Sequence, residues 1–271
     1  MKPGKADDVG LKAINLGAKG FDIGFVPESP DILWHSKLVD FGQEQVIEFT
    51  APVEEGAYTY VCTFPGHHRM MRGTLYVTND LKEFLKKNPQ KEIKVTEWKL
   101  ADLAEDTKRV GQHRNYAEGK QLFASLGCAH CHQMSKDSPK LDIGSARPVG
   151  PDVDETVKKY KRDAKALLQE MLEPSKSIED KYRQVTFELD DGTSRTGVIV
   201  AEDANTVTIM TGTPAKEQKF SKKSIDSRRA SQLSIMPGGL LNTLDNEQIL
   251  DLLAYMLAAG DPKDPAFKHH H

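Results

Sequence analysis

The three cysteines constrain what this chain can fold into more than any other feature of its 271 residues. They are Cys62, Cys128 and Cys131, and so small and odd a number cannot build a disulfide framework. Each cysteine lies within five residues of a histidine along the sequence. Because thiol and imidazole groups together are typical ligands, we expect metal or cofactor sites at these positions rather than disulfides.

One site is predicted by the run Cys128-Ala-His-Cys131-His132. Two cysteines separated by two residues and followed directly by a histidine are the signature of covalent haem c attachment. The thiols bind the porphyrin as thioethers, and the adjacent histidine coordinates the iron on its proximal side. A zinc site would need two further ligands, and only His113 and His130 are near. A thioredoxin-like redox pair would need a βαβ context that the sequence lacks.

The sixth iron ligand must then come from further along the chain, and a methionine would close the iron to substrates. Met236 lies in Ser234-Ile-Met-Pro237, a loop directly before the last predicted helix. We therefore expect Met236 as the axial ligand; the alternative is a methionine that packs in a turn. The other downstream methionines lie too near the proximal histidine or in predicted helices and strands: Met134, Met171, Met210 and Met256.

The other site is predicted by the run Cys62-Thr-Phe-Pro-Gly-His67 and by Met71 beyond it. Soft sulfur and imidazole ligands select copper, and two histidines, a cysteine and a weak axial methionine form a blue-copper electron-transfer site. A buried structural cysteine beside surface histidines is the alternative. A dinuclear copper site of the cytochrome oxidase kind is excluded, because it needs a second cysteine where Gly66 stands.

Several short runs between residues 26 and 77 follow one another in a recognisable order. They are Val26-Pro-Glu-Ser-Pro30, Ile32-Leu-Trp-His-Ser-Lys-Leu38, Phe49-Thr-Ala-Pro52, Cys62-Thr-Phe-Pro-Gly-His67 and Met71-Arg-Gly73. In this order they resemble the second half of an azurin- or auracyanin-type cupredoxin. The resemblance implies that Cys62 and His67 are equatorial copper ligands, that Met71 is the axial ligand, and that Met70 helps to form the apolar surface around His67.

The resemblance lacks one ligand. The family takes its other equatorial histidine from an earlier strand, and no histidine precedes His35 in this chain. We therefore expect a chain that begins after the first cupredoxin strands and holds an incomplete copper site. His35, which the resemblance places on the surface, and His68, which adjoins His67, are weaker substitutes. The open sheet edge would favour a homodimer or strand exchange.

A second set of runs extends from the haem motif towards the end of the chain. They are Cys128-Ala-His-Cys-His132, Gly150-Pro-Asp152, Leu172-Glu-Pro-Ser-Lys176 with Tyr182, Asp191-Gly192 with Thr196-Gly197, Ser234-Ile-Met-Pro237 and Leu253-Ala-Tyr255. This set resembles the haem-binding domain of planctomycete and verrucomicrobial membrane-associated dehydrogenase-like proteins. The resemblance implies a class I cytochrome c fold, Met236 as axial ligand and a β insertion at about 183–226. By the same analogy, the Pro151 carbonyl would hold the proximal imidazole.

Hydrophobic periodicity predicts the elements around these motifs. The predicted strands are 45–50, 57–62, 73–77, 185–189, 196–201 and 206–210, and the predicted helices are 114–126, 164–172 and 245–259. We expect a multidomain chain. A partial all-β cupredoxin Greek-key sandwich over 1–79 is followed by a linker over 80–112 and a mainly α class I cytochrome c domain with a small antiparallel β insertion over 113–267. Residues 268–271 are interpreted as a purification-tag remnant.

Charge and hydropathy narrow the possible functions. The net charge of -3 offers no basic field for nucleic acid, and the most apolar stretch, 252–259, is far too short to span a membrane. We expect an exported, periplasmic electron-transfer protein that relays single electrons between copper and haem c and works with redox partner proteins. The alternatives are a haem enzyme module (a peroxidase or a dehydrogenase subunit) and a cytochrome with a metal-free cupredoxin interaction module.

Overall fold

The structure is a computed structural model of the chain. It describes residues 1–14, 16, 20, 23–39, 44–64, 67–69, 71–89, 94–135, 149–211 and 216–268, with the side chain of His130 excepted. Within these ranges, no helix combines the length and the apolar character that crossing a bilayer requires. The elements form three groups: an N-terminal portion, a helical core and a five-stranded sheet.

The N-terminal portion contains one helix and one β-hairpin. Strands β1 (Gly56–Val61) and β2 (Arg72–Val77) pair antiparallel, and both confirm the strands predicted there, each starting one residue earlier. Helix α1 (Ala6–Ile14) was not predicted. It forms because its small and apolar residues recur at helical spacing and line one buried face: Ala6, Val9, Gly10, Ala13 and Ile14.

The predicted strand over 45–50 is wrong. Residues 44–55 form no strand, and the side chains that a sheet would cover are exposed, to 82% at Val46 and 47% at Phe49. An alternation of apolar and polar residues produces a strand only where a neighbouring strand supplies hydrogen bonds and a buried face. No strand of the described residues pairs with this segment. Among those residues, the expected Greek-key sandwich is reduced to the β1–β2 hairpin with α1 packed on it.

The helical core is centred on α7 (Asn246–Leu257). Asp245 caps this helix by accepting the Gln248 N–H at 2.9 Å. Three helices pack around it or around one another: α4 (Tyr116–Ser125), α5 (Val153–Lys159) and α6 (Ala164–Leu172). The predictions of α4, α6 and α7 are confirmed to within two residues at each end, whereas α5 was not predicted.

The segment expected to be a linker, 80–112, contributes its second half to the helical core. Leu103, the last residue of α3 (Leu100–Leu103), is fully buried there, and Val110 is 4% exposed. The Trp98 indole N–H donates to the Leu244 carbonyl at 3.1 Å. Helix α2 (Leu81–Lys87), in the first half, has no buried residue and fits a connector better.

The five-stranded antiparallel sheet lies between α6 and α7 in the sequence. Its strands are β3 (Gln184–Leu189), β4 (Ser194–Glu202), β5 (Thr206–Thr211), β6 (Lys216–Ser221) and β7 (Ile225–Ala230), in the order β6-β5-β4-β3-β7. β3, β4 and β5 confirm the predictions, but the unpredicted β6 and β7 carry the sheet four residues past the expected end at 226.

The sheet curls on itself around a small core. The rings of Phe187 in β3 and Phe220 in β6 lie 5.2 Å apart, although β4 and β5 separate their strands. In a flat sheet, three strand spacings would separate them by about 14 Å. Ile225 from the opposite edge packs on the same core, so the two edges approach each other.

Helix α1 joins the N-terminal portion to the helical core. It packs against β1, against the 3-10 turn His67–Arg69 and against α4. The turn lies in the loop between Cys62 and Met71, and α4 leads directly to Cys128. The loop that carries the Cys62 motif and the helix that precedes the Cys128 motif therefore both contact α1.

Candidate functional site

The loop after β1 brings a thiol and an imidazole together. The Sγ atom of Cys62 lies 3.5 Å from Nδ1 of His67. Thiolate and imidazole ligands of a tetrahedral metal ion, at about 2.3 and about 2.1 Å from it, are about 3.5 Å apart. The separation of these two atoms therefore fits a pair of donors that share one metal.

Backbone hydrogen bonds close this loop onto itself. The Cys62 N–H donates to the Met71 carbonyl at 2.8 Å, and the Met71 N–H donates to the His67 carbonyl at 2.8 Å. The His67 N–H in turn donates to the Phe64 carbonyl at 3.0 Å. The backbone thus fixes the positions of all three residues that the sequence proposes as ligands.

Aromatic rings shield one side of His67. The Phe64 ring lies 4.9 Å from the imidazole and 5.3 Å from the ring of the fully buried Phe25. Burial lowers the pKa of His67 below its usual value. The imidazole is therefore held in the neutral form that metal ligation requires.

Among the described residues, no further histidine joins Cys62 and His67 in a metal-binding group. Met71 is 56% exposed, and His35 is exposed with its Nδ1 atom 3.2 Å from the Ser36 carbonyl. His68 is buried elsewhere, against Gly10 of α1. No group of three or more His, Cys, Asp or Glu side chains within the described ranges could hold a metal ion. Pro65, Gly66 and Met70 lie outside the described residues.

The haem motif forms a tight turn directly after α4. Gly127, at φ 82°, ends the helix, and a 3-10 turn spans Cys128–His130. The N–H groups of Cys131 and His132 donate to the Cys128 carbonyl at 3.1 and 2.9 Å. This turn places the two thiols and the imidazole within one short stretch of backbone.

The imidazole of His132 is oriented by the segment that precedes α5. Its Nδ1 atom donates to the Pro151 carbonyl at 2.8 Å, which leaves Nε2 available to a metal. Burial lowers the pKa of His132, and the bond to Pro151 acts in the opposite direction. The result is a neutral, singly oriented imidazole of the kind that second-sphere hydrogen bonds produce at metal sites.

A glycine is required at position 150 for the segment before α5 to approach His132 closely. Its N–H donates to the Cys131 carbonyl at 2.9 Å. A Cβ atom at this position would lie 2.7 Å from Cε1 of His132 and 2.9 Å from the Cys131 carbonyl oxygen. Sequence reasoning noted the run Gly150-Pro-Asp152 but missed this role, because spacing along the chain does not reveal a contact across a loop.

The environment of the two thiols differs from that of a reactive pair. Burial raises the pKa of the Cys128 thiol to about 12, with Cys131 adding to the shift, and burial also raises the pKa of Cys131. Reactive thiols of the thioredoxin kind have a lowered pKa instead. His113 lies exposed before α4, and the described side chains form no zinc-type group of three or more ligands at this motif.

Met236 borders the same core as the haem motif. It is partly buried against the cluster on which Cys128 also packs, and its N–H donates to Ser234 Oγ at 3.1 Å. The Ser234 N–H donates to Ser175 Oγ at 3.0 Å, which ties the loop to the end of α6. The other methionines downstream of the haem motif are buried packing residues, each at most 8% exposed: Met134, Met171, Met210 and Met256.

Comparison with known proteins identifies the N-terminal segment. Residues 14–78 match the family described as copper binding proteins, plastocyanin/azurin family. Auracyanin-B of Chloroflexus aurantiacus is 36% identical over 75 residues, azurin iso-2 of Methylomonas sp. (strain J) is 36% identical over 74, and azurin of Pseudomonas aeruginosa is 36% identical over 61.

These matches cover a part of each protein. They take in 27%, 26% and 21% of this chain, and 32%, 57% and 41% of the three relatives in the same order. The chain therefore spans between a third and just over half the length of the relatives that it matches. Residues 14–78 are a cupredoxin segment, which confirms the expected family for this portion of the chain.

Proposed function

We propose that this chain is an electron-transfer protein that relays single electrons between a type 1 copper site and a covalently bound haem c. The cupredoxin match of residues 14–78 supports the copper part, and the geometry around His132 supports the haem part. When bound, copper and haem iron each supply a one-electron couple. The chain supplies the ligands, their orientation and the shielding from water.

Cys62, His67 and Met71 are the proposed copper ligands, and the family's other equatorial histidine has no counterpart before His35 in this chain. The observation that carries this half is the 3.5 Å separation of Cys62 Sγ and His67 Nδ1 in a loop of cupredoxin type. Soft sulfur and a neutral imidazole favour copper over hard cations. The backbone bonds between Cys62, His67 and Met71 hold the loop in one arrangement, which reduces the rearrangement that a change of oxidation state would demand.

Cys128, Cys131, His132 and Met236 are the proposed haem residues. The thiols would form the thioethers, His132 would bind iron through Nε2, and Pro151 keeps the imidazole oriented through Nδ1. Met236 would occupy the second axial position, which leaves no place for a substrate and favours electron transfer over catalysis. Haem c is attached outside the cytoplasm, so the proposal includes an exported protein that exchanges electrons with redox partner proteins.

Potentiometry followed by absorption spectroscopy tests this function. The protein, matured for haem c and supplied with copper, should show two separate one-electron transitions. Cys62→Ser should remove one transition and leave the other, whereas His35→Ala should leave both, because His35 is exposed and bonded to Ser36. A wild-type protein without a reversible haem transition would contradict the proposal.

A second candidate function is a cytochrome whose cupredoxin segment binds a partner without metal. The observation that favours it is the small number of metal donors. The described residues place only Cys62 and His67 together and leave Met71 56% exposed. Metal analysis separates the two candidates. One iron and no copper per chain after copper loading would support the metal-free module.

A further inference from the structure

His68 packs the loop that carries the proposed copper ligands against α1. This residue is 3% exposed, and within the described residues its Nδ1 atom has no hydrogen-bond partner. Its ring lies on Gly10, where an added Cβ atom would come within 2.4 Å of Cγ and Cδ2. His68 thus acts here as a packing group, and the contact requires a glycine in the middle of α1.

Charged groups strengthen the same contact. Arg72, the first residue of β2, forms an ion pair with Asp7 of α1, with 2.7 Å between Nη1 and Oδ1. Helix α1 contacts the turn His67–Arg69 on the ligand loop and also contacts α4. The ligand loop is therefore connected to α4 through α1.

Helix α4 connects α1 to the haem motif. It packs on α7, and its last residue, Ser125, lies three residues before Cys128. The Asn115 N–H at its start donates to Asp251 of α7 at 3.0 Å, so α4 is fixed to the helical core. The ligand loop, α1, α4 and the haem motif therefore form one continuous packed series.

We propose that α1 is an internal docking helix that holds the copper-ligand loop, through His68 and Arg72, at a fixed position against α4 and the haem motif. This inference rests on the proposed two-centre function and adds how the two sites are coupled. Electron exchange then takes place within one packed arrangement, and it needs no encounter between two parts joined only by a flexible tether.

The dependence of the exchange rate on viscosity tests the proposal directly. In protein loaded with copper and haem, the haem is reduced by a light pulse and its reoxidation is followed. A fixed arrangement predicts a rate that stays constant when sucrose raises the viscosity, because no diffusional step limits it. A rate that falls in proportion to viscosity would overturn the proposal.

Substitution of Gly10 tests the contact itself. Alanine in a helix is normally stabilising relative to glycine, but Gly10→Ala would place a Cβ against the His68 ring. We expect exchange at least about tenfold slower, with both optical spectra retained, because the loop loses its fixed position. Gly111→Ala is the matched control, since an added Cβ there meets no atom within 4 Å. Equal rates in both variants would contradict the inference.

Hydrogen exchange on the protein without added copper keeps this test independent of the proposed function. In Gly10→Ala, the amides of α1 and of Met71 should lose protection by about tenfold or more, and those of β3–β5 should not change. Gly111→Ala should leave α1 protected. If copper does not load, the spectra reveal it, and unchanged α1 protection in Gly10→Ala would still overturn the docking role.

Discussion

At the residue scale, the candidate haem site depends on a close approach of two loops. Gly150 and Pro151 follow one another, and the pair both admits the His132 ring and accepts its Nδ1–H. A neutral imidazole with one nitrogen already bonded presents the other in a single direction. The orientation of the proposed proximal ligand is therefore set by residues 18 and 19 positions away along the chain.

Substitution of Gly150 by alanine should disturb this site without removing a ligand. The new Cβ would overlap His132 and the Cys131 carbonyl, and we expect a loss of about 1–3 kcal/mol in the free energy of unfolding, as for other overpacked positions. Urea unfolding of the purified protein measures it. Gly111→Ala should change stability by much less, and equal effects of the two substitutions would refute the contact.

Substitution of Met236 by alanine should open the proposed sixth iron position. The reduced wild-type protein should bind carbon monoxide slowly or not at all, whereas Met236→Ala should bind it rapidly. Stopped-flow absorption measures the difference. Met256→Leu serves as the control, because Met256 is buried in α7 and the substitution conserves volume. Rapid binding by the wild type would favour the haem enzyme alternative.

At the element scale, segments that join the motifs prove to be structural. α3 and Val110 complete the helical core, and the five-stranded sheet has a core of its own around Phe187. The sheet is also held by its turns. In the β4–β5 turn, Asp203 accepts the N–H groups of Asn205 and Thr206, each at 2.7 Å. The elements between the candidate ligands therefore fold as packed units.

Truncation of Leu103 should separate a core role from a linker role. Leu103→Ala should lower the free energy of unfolding by about 2–5 kcal/mol, because the side chain is fully buried. Leu81→Ala in α2 is the matched control, with the side chain 48% exposed and an expected change within about 0.5 kcal/mol. Denaturant titration of both variants measures the contrast, and equal losses would contradict the assignment of α3 to the core.

The Asp203 turn should give the sheet a pH-dependent component of stability. Hydrogen bonds from the Asn205 N–H and then from Thr206 lower the pKa of Asp203 to about 2. The stabilisation is thus fully present above the unfolded pKa of about 3.9 and is lost as pH falls through 2. Asp203→Ala should lower the melting temperature at pH 7 and match the wild type below pH 2. Asp203→Asn should show no such pH dependence.

An element can be predicted from sequence when its own residue pattern determines it, and not when it depends on contacts with distant segments. α4, α6 and α7 follow from periodicity, because one helix face meets the core. The alternation of apolar and polar residues at 45–50 misleads, since no strand within the described ranges pairs with this segment. β6 and β7 escape prediction because most of their side chains are exposed edge residues.

The residues of the candidate sites also differ in how far the sequence predicts them. Ligands within one loop, such as Cys62 and His67 or the residues from Cys128 to His132, are brought together by short spacing that a sequence displays. The contacts of Gly150 and of His68 join distant segments, and composition gives no signal for them. Gly10 indicates a close neighbour only once the structure places it in the middle of α1, a helix that the sequence did not predict.

At the scale of the whole molecule, one short helix, α1, contacts both the loop of one candidate redox site and the helix that precedes the other. The cupredoxin segment 14–78 supplies one, and the motif after α4 supplies the other. α1 contacts both the ligand loop and α4, so packed elements connect these two parts of the molecule. This arrangement suits a relay of single electrons better than two independent binding modules.

Our proposal requires one chain to hold both a copper ion and a covalently attached haem. Metal analysis of the matured, copper-loaded protein, combined with acid extraction of the porphyrin, measures both at once. We expect one iron and one copper per chain, with the porphyrin retained by the polypeptide after extraction. A chain without iron or without copper, or a porphyrin released by acid, would contradict the two-centre relay.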